Sequence, residues 1–253
     1  EPHHYDPEAI FVARLSTADM FIYNGAGMEI WIDRVLNSIN NPNLIVVRSI
    51  DGITLLEHEG HHHHHDDDDH DDHDHDDDHG HDHEEDPHVW LDPLNAKEQM
   101  RNIKDALVAA DPNPDNKAFY EEQFIKYATE FDILHSEIAE QLEELARRDF
   151  IVSHAAFGYF AQRYNLNQVS IEGIVPDTEP DMSRLIEVIN FANDKGITTV
   201  FYEVGSSDKL ARTVAEGITG GVVGVLDPMG TVSRRDYNRG KDYFQIMREN
   251  IEA

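Results

Sequence analysis

A chain of 253 residues is long enough for one large domain or two modest ones, and its 40% hydrophobic content suits a globular protein. The formal charge of −31 argues against nucleic acid or an anionic membrane surface as a partner and favours cations. Cysteine is absent, which removes disulfides and thiolate zinc sites and leaves nitrogen and oxygen ligands for any transition metal.

The chain opens at Glu1-Pro2-His3 without an initiator Met, as expected of a processed or truncated product, and no signal peptide or run of 18 apolar residues is visible. Ile10, Phe11 and Leu15 recur at helical spacing, and Met20-Phe21-Ile22-Tyr23 reads as a short buried strand. Asn24-Gly25-Ala26-Gly27 then turns the chain into a helix carrying Met28, Ile30, Trp31, Val35 and Leu36, and Leu44-Ile45-Val46-Val47 predicts another strand. Such alternation of helix and strand suggests a parallel sheet covered by helices.

Residues 57–86 break this rhythm. They hold 16 acidic residues and no Lys or Arg, so about half of the net charge sits there. With no apolar periodicity the segment has nothing to bury and is expected to be a loop. Order is predicted to resume at Pro87-His88-Val89-Trp90-Leu91-Asp92-Pro93, with a helix through Leu107 and a break at 111–115. A helical segment free of Gly and Pro spans 116–148, with Phe119, Tyr120, Phe124, Tyr127, Phe131, Leu134, Ile138, Leu142 and Leu145 mostly three or four apart. At about 1.5 Å per residue it would reach about 45 Å, enough to act as a strut between two lobes.

The second half repeats the alternation. Strands are expected at 150–153, 169–171, 199–202 and 222–226, and helices at 155–164, 182–195 and 209–217. The domain plan that follows is a first lobe over 1–115, a linking helix over 116–148 and a second α/β lobe over 149–253.

Candidate ligands outside the acidic segment stand at element ends or beside prolines. His3 follows Pro2, His88 follows Pro87, His154 follows a predicted strand, and Asp227 follows the last strand and precedes Pro228. Imidazole and carboxylate are sound zinc ligands, and proline beside a ligand limits backbone freedom. Two come from each half, so a shared ion would draw the lobes together. His4 rivals His3 on spacing alone, and His135, inside the long helix, is assigned no role.

The segment itself is the denser signal. Between His58 and His83 lie 12 histidines interleaved with Asp. His61, His62, His63, His64 and His65 are consecutive, and His70, His73, His75, His79, His81 and His83 follow among aspartates. Neutral imidazoles on a flexible chain are expected to bind several ions weakly, as secondary sites. Five histidines in mid-chain followed by Asp-rich repeats argue against a purification tag.

Taken together, "EPHHYDP" at 1–7, "DPHVWLDP" at 86–93, "FIVSHAAFGYFAQRYNL" at 150–166, "EGIVPDTEPD" at 172–181, "VFYEVGSSDKLA" at 200–211 and "VLDP" at 225–228 resemble the metal-specific solute-binding proteins of bacterial ABC transporters, in particular the zinc-specific branch. The resemblance spans nearly the whole chain in family order. It implies an α/β fold of two lobes, each a parallel sheet flanked by helices, joined by one long helix with the ion in the cleft. It carries the ligand roles onto His3, His88, His154 and Asp227. His at 154 matches the zinc type, whereas Glu at that place marks manganese members, in line with the preference of manganese for oxygen ligands. The His-rich insertion is likewise a zinc-branch feature. Family members place a strand, a helix and a strand ahead of the Pro-His motif. They are absent here, so either the chain is a fragment or another segment supplies them; otherwise the first sheet is expected to lack central members, with exposed apolar edges and a frayed His3.

The implied function is capture of Zn²⁺ outside the cytoplasmic membrane and delivery to an ABC permease, by a periplasmic or lipid-anchored protein. The chain is expected to be monomeric, to bind no nucleic acid and to catalyse no reaction. Uptake of manganese or iron is the alternative within the family. Outside it stand a metal buffer or chaperone acting through the His-rich segment, and a zinc hydrolase or lyase using His3, His88 and His154 with water as fourth ligand and Glu203 or Asp227 as general base.

Overall fold

The computed structural model describes residue 3 and residues 5–58, 84–175, 181–232 and 234–253. The first lobe begins with helix α1 (Ala9–Leu15), strand β1 (Met20–Tyr23), helix α2 (Ile32–Ser38) and strand β2 (Ile45–Arg48), and β1 and β2 pair in parallel. Helix α2 starts later than the sequence predicts. The turn expected at 24–27 is present, with Gly25, Ala26 and Gly27 at φ of 103°, 51° and 74°, and residues 28–31 continue as turn before the helix begins. The Glu29 carboxylate holds this turn by accepting from the backbone N–H groups of Asn24 and Gly25, both at 2.9 Å. Phe11, Phe21 and Trp31 pack edge to face or tilted over Leu15 and Val35 to form a small core. Ile22, Ile45 and Val46 remain 37–42% exposed, so among the described residues this two-stranded sheet does show apolar surface.

Two further short strands, β3 (Glu57–His58) and β4 (Glu84–Glu85), pair antiparallel and close the base of the His-rich segment. Two-residue strands carry no periodicity, and the sequence reading passed over them. The backbone N–H of Asp86 extends the closure by donating to the Leu56 carbonyl at 2.8 Å.

Helix α3 (Pro93–Ala110) and helix α4 (Pro114–Glu143) pack side by side. Each begins on a side-chain cap with proline in the first turn: Asp92 accepts from the Leu94 N–H, and Asn113 from the Asp115 N–H. The predicted linking helix therefore starts two residues early, at Pro114, because proline is favourable where no N–H is needed. It ends five residues early, where Arg148 donates to the Glu143 carbonyl at 2.9 Å and turns the chain toward the next strand.

The second lobe is a four-stranded parallel sheet in the order β6-β5-β7-β8, built from β5 (Asp149–Val152), β6 (Asn167–Ser170), β7 (Thr199–Glu203) and β8 (Val222–Leu226). Alternation along the strands supplies both faces. Ile151 and Val200 point to a core with Leu185, Val188 and Ala192 of helix α6 (Met182–Lys195) and Ala211 and Val214 of helix α7 (Lys209–Glu216). Val152 and Phe201 point to the opposite core, with Leu134, Ile138 and Leu142 of α4 and Met247 of helix α9 (Tyr243–Glu252). The long helix thus leans on α3 with its first half and on the second sheet with its last. Helix α5 (Gly158–Arg163) starts three residues later than predicted, after the Ala155 N–H donates to the Gly173 carbonyl at 3.2 Å and the Phe157 N–H to Gln168 Oε1 at 2.6 Å. Helices α8 (Arg234–Asn238) and α9 were not anticipated, although Phe244, Met247 and Ile251 in α9 are apolar at helical spacing.

Candidate metal centre

Functional side chains in parallel sheets gather beyond the carboxyl ends of the strands. Here β5 ends at Val152 and delivers His154, β7 ends on Glu203, and β8 ends at Leu226 ahead of Asp227. From the other lobe, the turn after β1 reaches the same edge, and Asn24 Nδ2 donates to the Pro87 carbonyl at 2.9 Å, just before His88.

Ligand-capable atoms of His3, His88 and His154 lie within 4.8 Å of one another. The three rings are 7%, 2% and 3% exposed, with centroids 4.9–5.5 Å apart. His3 Nε2 and His88 Nε2 stand 3.1 Å apart. His3 is buried here, contrary to the frayed terminus expected of it. Three inward imidazoles at this spacing suit a single borderline-soft cation such as zinc.

Two of the rings are held by buried carboxylates. Asp86 Oδ1 accepts from the His88 backbone N–H at 2.9 Å and lies 2.8 Å from His88 Nδ1. Its other oxygen occupies the space over Gly158, where an added Cβ would approach Oδ2 to 2.7 Å. Glu203 Oε1 lies 2.6 Å from His154 Nδ1, and the Ile174 carbonyl lies 2.6 Å from His154 Nε2. All of these groups except Ile174, Asp86 and Gly158 line one cavity of about 200 Å³, closed by Trp90, Gly205, Ser206, Pro228 and Thr231. That volume falls below the roughly 300–1,000 Å³ usual for organic ligands.

Asp227, the fourth expected ligand, stands outside the histidine group. Its Oδ1 accepts from the Met229 N–H at 2.8 Å and its Oδ2 faces Lys241 Nζ at 3.9 Å. Burial pushes its carboxyl above the usual 3.8, against the lowering effect of the Met229 amide and Lys241. The next residue, Pro228, does line the cavity. His135 is bonded through Nδ1 to the Tyr164 hydroxyl at 3.1 Å, away from the site. His4 lies outside the described residues, as do His61, His62, His63, His64, His65, His70, His73, His75, His79, His81 and His83. Asp86 and Gly158 escaped the sequence reading. Asp86 hides as the last acid of a long acidic run, and only its place two residues before His88 could have marked it.

A family model described as zinc-uptake complex component A, periplasmic, matches residues 1–253. The chain is 33% identical over its full length to the zinc-binding lipoprotein AdcA of Streptococcus pneumoniae, covering 48% of that protein. It is 34% identical to the high-affinity zinc uptake system protein ZnuA of Bacillus subtilis, covering all of this chain and 76% of that protein. The chain spans about half the length of the AdcA proteins it matches. Among solved structures, the Zn(II)-bound ZnuA-like domain of Streptococcus pneumoniae AdcA superposes with a TM-score of 0.77 at 30% identity, covering 100% of this chain and 84% of that one.

Proposed function

This chain belongs to the family of periplasmic zinc-uptake complex component A, and on that footing we propose that it captures Zn²⁺ outside the cytoplasmic membrane and presents it to an ABC permease. The observation that carries the proposal is the convergence of His3, His88 and His154 from both lobes within 4.8 Å. The family is a solute-binding transport component, and the cavity of about 200 Å³ is lined by all three imidazoles. No helix of the described residues is long and apolar enough to cross a membrane. Whether the protein is lipid-anchored follows the relatives named lipoproteins, and we assign it to the outer face on their likeness.

The proposed ligand set is His3, His88 and His154, with Asp227 joining by turning its carboxylate away from the Met229 amide. Residues 1–115 act as the first lobe, 149–253 as the second, and the helix between them as the link. The test is metal analysis and competition titration. Wild type should hold one Zn²⁺ tightly and prefer it to Mn²⁺ at equal free metal, and His154→Ala should lose that ion. Replacing residues 58–85 by a short linker should leave the tight ion in place. Loss of all binding on that deletion would turn the assignment to a buffer acting through the His-rich segment.

A further inference from the structure

His154 is engaged at both nitrogens, and only one can take an ion. Nδ1 faces Glu203 Oε1 at 2.6 Å and Nε2 faces the Ile174 carbonyl at 2.6 Å. The two neighbours differ in what holds them. Glu203 is the last residue of β7, paired with Leu226 of β8, and the next N–H, of Val204, donates to the Leu226 carbonyl at 2.9 Å. Its backbone is therefore fixed by the sheet, and the carboxylate is presented from a rigid strand end. Ile174 follows β6 in a bend without ladder bonds. Among the described residues the backbone tethers nearby end at Gly173, whose carbonyl accepts from the Ala155 N–H at 3.2 Å. Turning the single peptide after Ile174 frees Nε2 without disturbing the sheet.

His88 repeats the arrangement. Its Nδ1 is held by Asp86 Oδ1 at 2.8 Å, and its Nε2 points to His3. Metal-bound histidines commonly direct their second ring nitrogen to a carboxylate, which fixes the tautomer and the ring plane.

Resting on the zinc-capture reading above, we propose that Glu203 and Asp86 are positioning residues that hold the Nδ1–H of His154 and His88, so that Nε2 of each ring is the ligand atom. Neither carboxylate binds the ion. The Ile174 carbonyl is the contact that an ion displaces.

Two experiments on the full chain test this. In ¹⁵N-histidine spectra of zinc-loaded wild type, His154 and His88 should each show a protonated Nδ1 and a zinc-bound Nε2. Coordination through Nδ1 at either ring would overturn the proposal. Chelator competition with Zn²⁺ and visible absorption with Co²⁺ should place Glu203→Gln and Asp86→Asn within about threefold of wild type with the same bands, because an amide oxygen still accepts from Nδ1. Glu203→Ala and Asp86→Ala should weaken Zn²⁺ binding about 10–100-fold and alter the Co²⁺ bands. Equal loss in the amide and alanine variants would identify a carboxylate ligand instead, and unchanged binding in the alanine variants would leave no positioning role. Should wild type bind no Zn²⁺, or His154→Ala bind it equally well, the capture reading fails first. The spectra need no variant to fold, so the nitrogen assignment stands or falls independently of the substitutions.

Discussion

The indole Nε1 of Trp90 donates to the carbonyl oxygen of Pro228 at 2.8 Å, joining positions 138 residues apart. Trp90 lies two residues after His88, and Pro228 one residue after Asp227, so the bond ties a ligand-bearing turn of the first lobe to the rim of the second. It has companions. The Tyr243 hydroxyl donates to the Trp90 carbonyl at 2.8 Å, the Tyr159 hydroxyl donates to the Asp86 carbonyl at 2.7 Å, and Arg163 pairs with Asp92 at 2.6 Å. Tyr159 is buried and Tyr243 half-buried, and desolvation raises the pKa of each above the usual range, so both stay protonated donors near neutral pH. His88 is thus pinned from the second lobe by these groups and from the first by Asn24.

Trp90→Phe keeps the apolar ring and removes the donor. One hydrogen bond of this kind contributes about 1 kcal/mol, so thermal unfolding should fall by about 2–4 °C. Because the indole also lies 5.4 Å from the His88 ring, Zn²⁺ affinity should fall with it. Calorimetry of metal-free and zinc-loaded protein checks both, and an unchanged affinity would mean that the pin serves only the fold.

Ion capture itself should register as stability. A ligand that binds only the folded chain stabilises it by about 2.7 kcal/mol at a hundred times its dissociation constant. For a protein of this size that corresponds to a rise of roughly 5–10 °C in thermal midpoint. His154→Ala should abolish the rise and also lower the metal-free midpoint by a few degrees, since it removes the buried ring that the Glu203 carboxylate and the Ile174 carbonyl face, at a cost of about 1–3 kcal/mol. Equal zinc-induced shifts in wild type and His154→Ala would place the stabilising ion elsewhere.

The same residues show where sequence is informative. The second sheet was legible because each strand alternates or runs apolar between clear turns, as in Phe150-Ile151-Val152 and Thr199-Val200-Phe201-Tyr202. Three of the four candidate ligands sit together because they occupy loop positions just beyond strands or beside prolines, a local signal. Asp227 carries the same signal, yet its carboxylate is turned to Met229, a choice made by the tight turn after Pro228 and by Lys241 from a distant segment. Asp86 and Tyr159 were invisible for a related reason. Their value lies in contacts across 73 residues, which no window of sequence contains. The early end of the long helix likewise depends on Arg148 folding back on Glu143.

Asp227 offers a test with a defined sign. Burial, the largest effect, raises its folded-state pKa above 3.8. A group with a raised folded pKa stabilises the fold below its unfolded pKa and loses that contribution as pH rises through the folded value. At neutral pH the buried charge therefore opposes folding, and Asp227→Asn should stabilise the metal-free chain there. The gain should vanish below about pH 4, where the aspartate is protonated in both states. Denaturant titrations at pH 3.5 and 7 check the sign. For zinc, Asp227→Ala should cost less affinity than any histidine variant, because the carboxylate must first give up the Met229 amide, at about 1 kcal/mol.

Gly158 is the most economical probe of how the second lobe shapes a ligand from the first. It opens α5, and a Cβ there would meet Asp86 Oδ2 at 2.7 Å, inside any real carbon–oxygen contact. The side chain of Asp86 is 7% exposed, and its other oxygen is committed to the His88 backbone N–H and to Nδ1 of the ring, so the carboxylate has little room to yield. Gly158→Ala favours the helix by propensity, up to about 1 kcal/mol, while the overlap costs about 1–3 kcal/mol. The balance should lower the thermal midpoint modestly. Zinc affinity should drop more than that, since a displaced Asp86 carries the His88 ring with it. The double variant Gly158→Ala with Asp86→Ala separates the two effects. With the carboxylate gone the clash is relieved, so adding Gly158→Ala to Asp86→Ala should leave zinc binding where Asp86→Ala alone puts it. A further loss would show that the glycine acts on the site through α5 and not through Asp86.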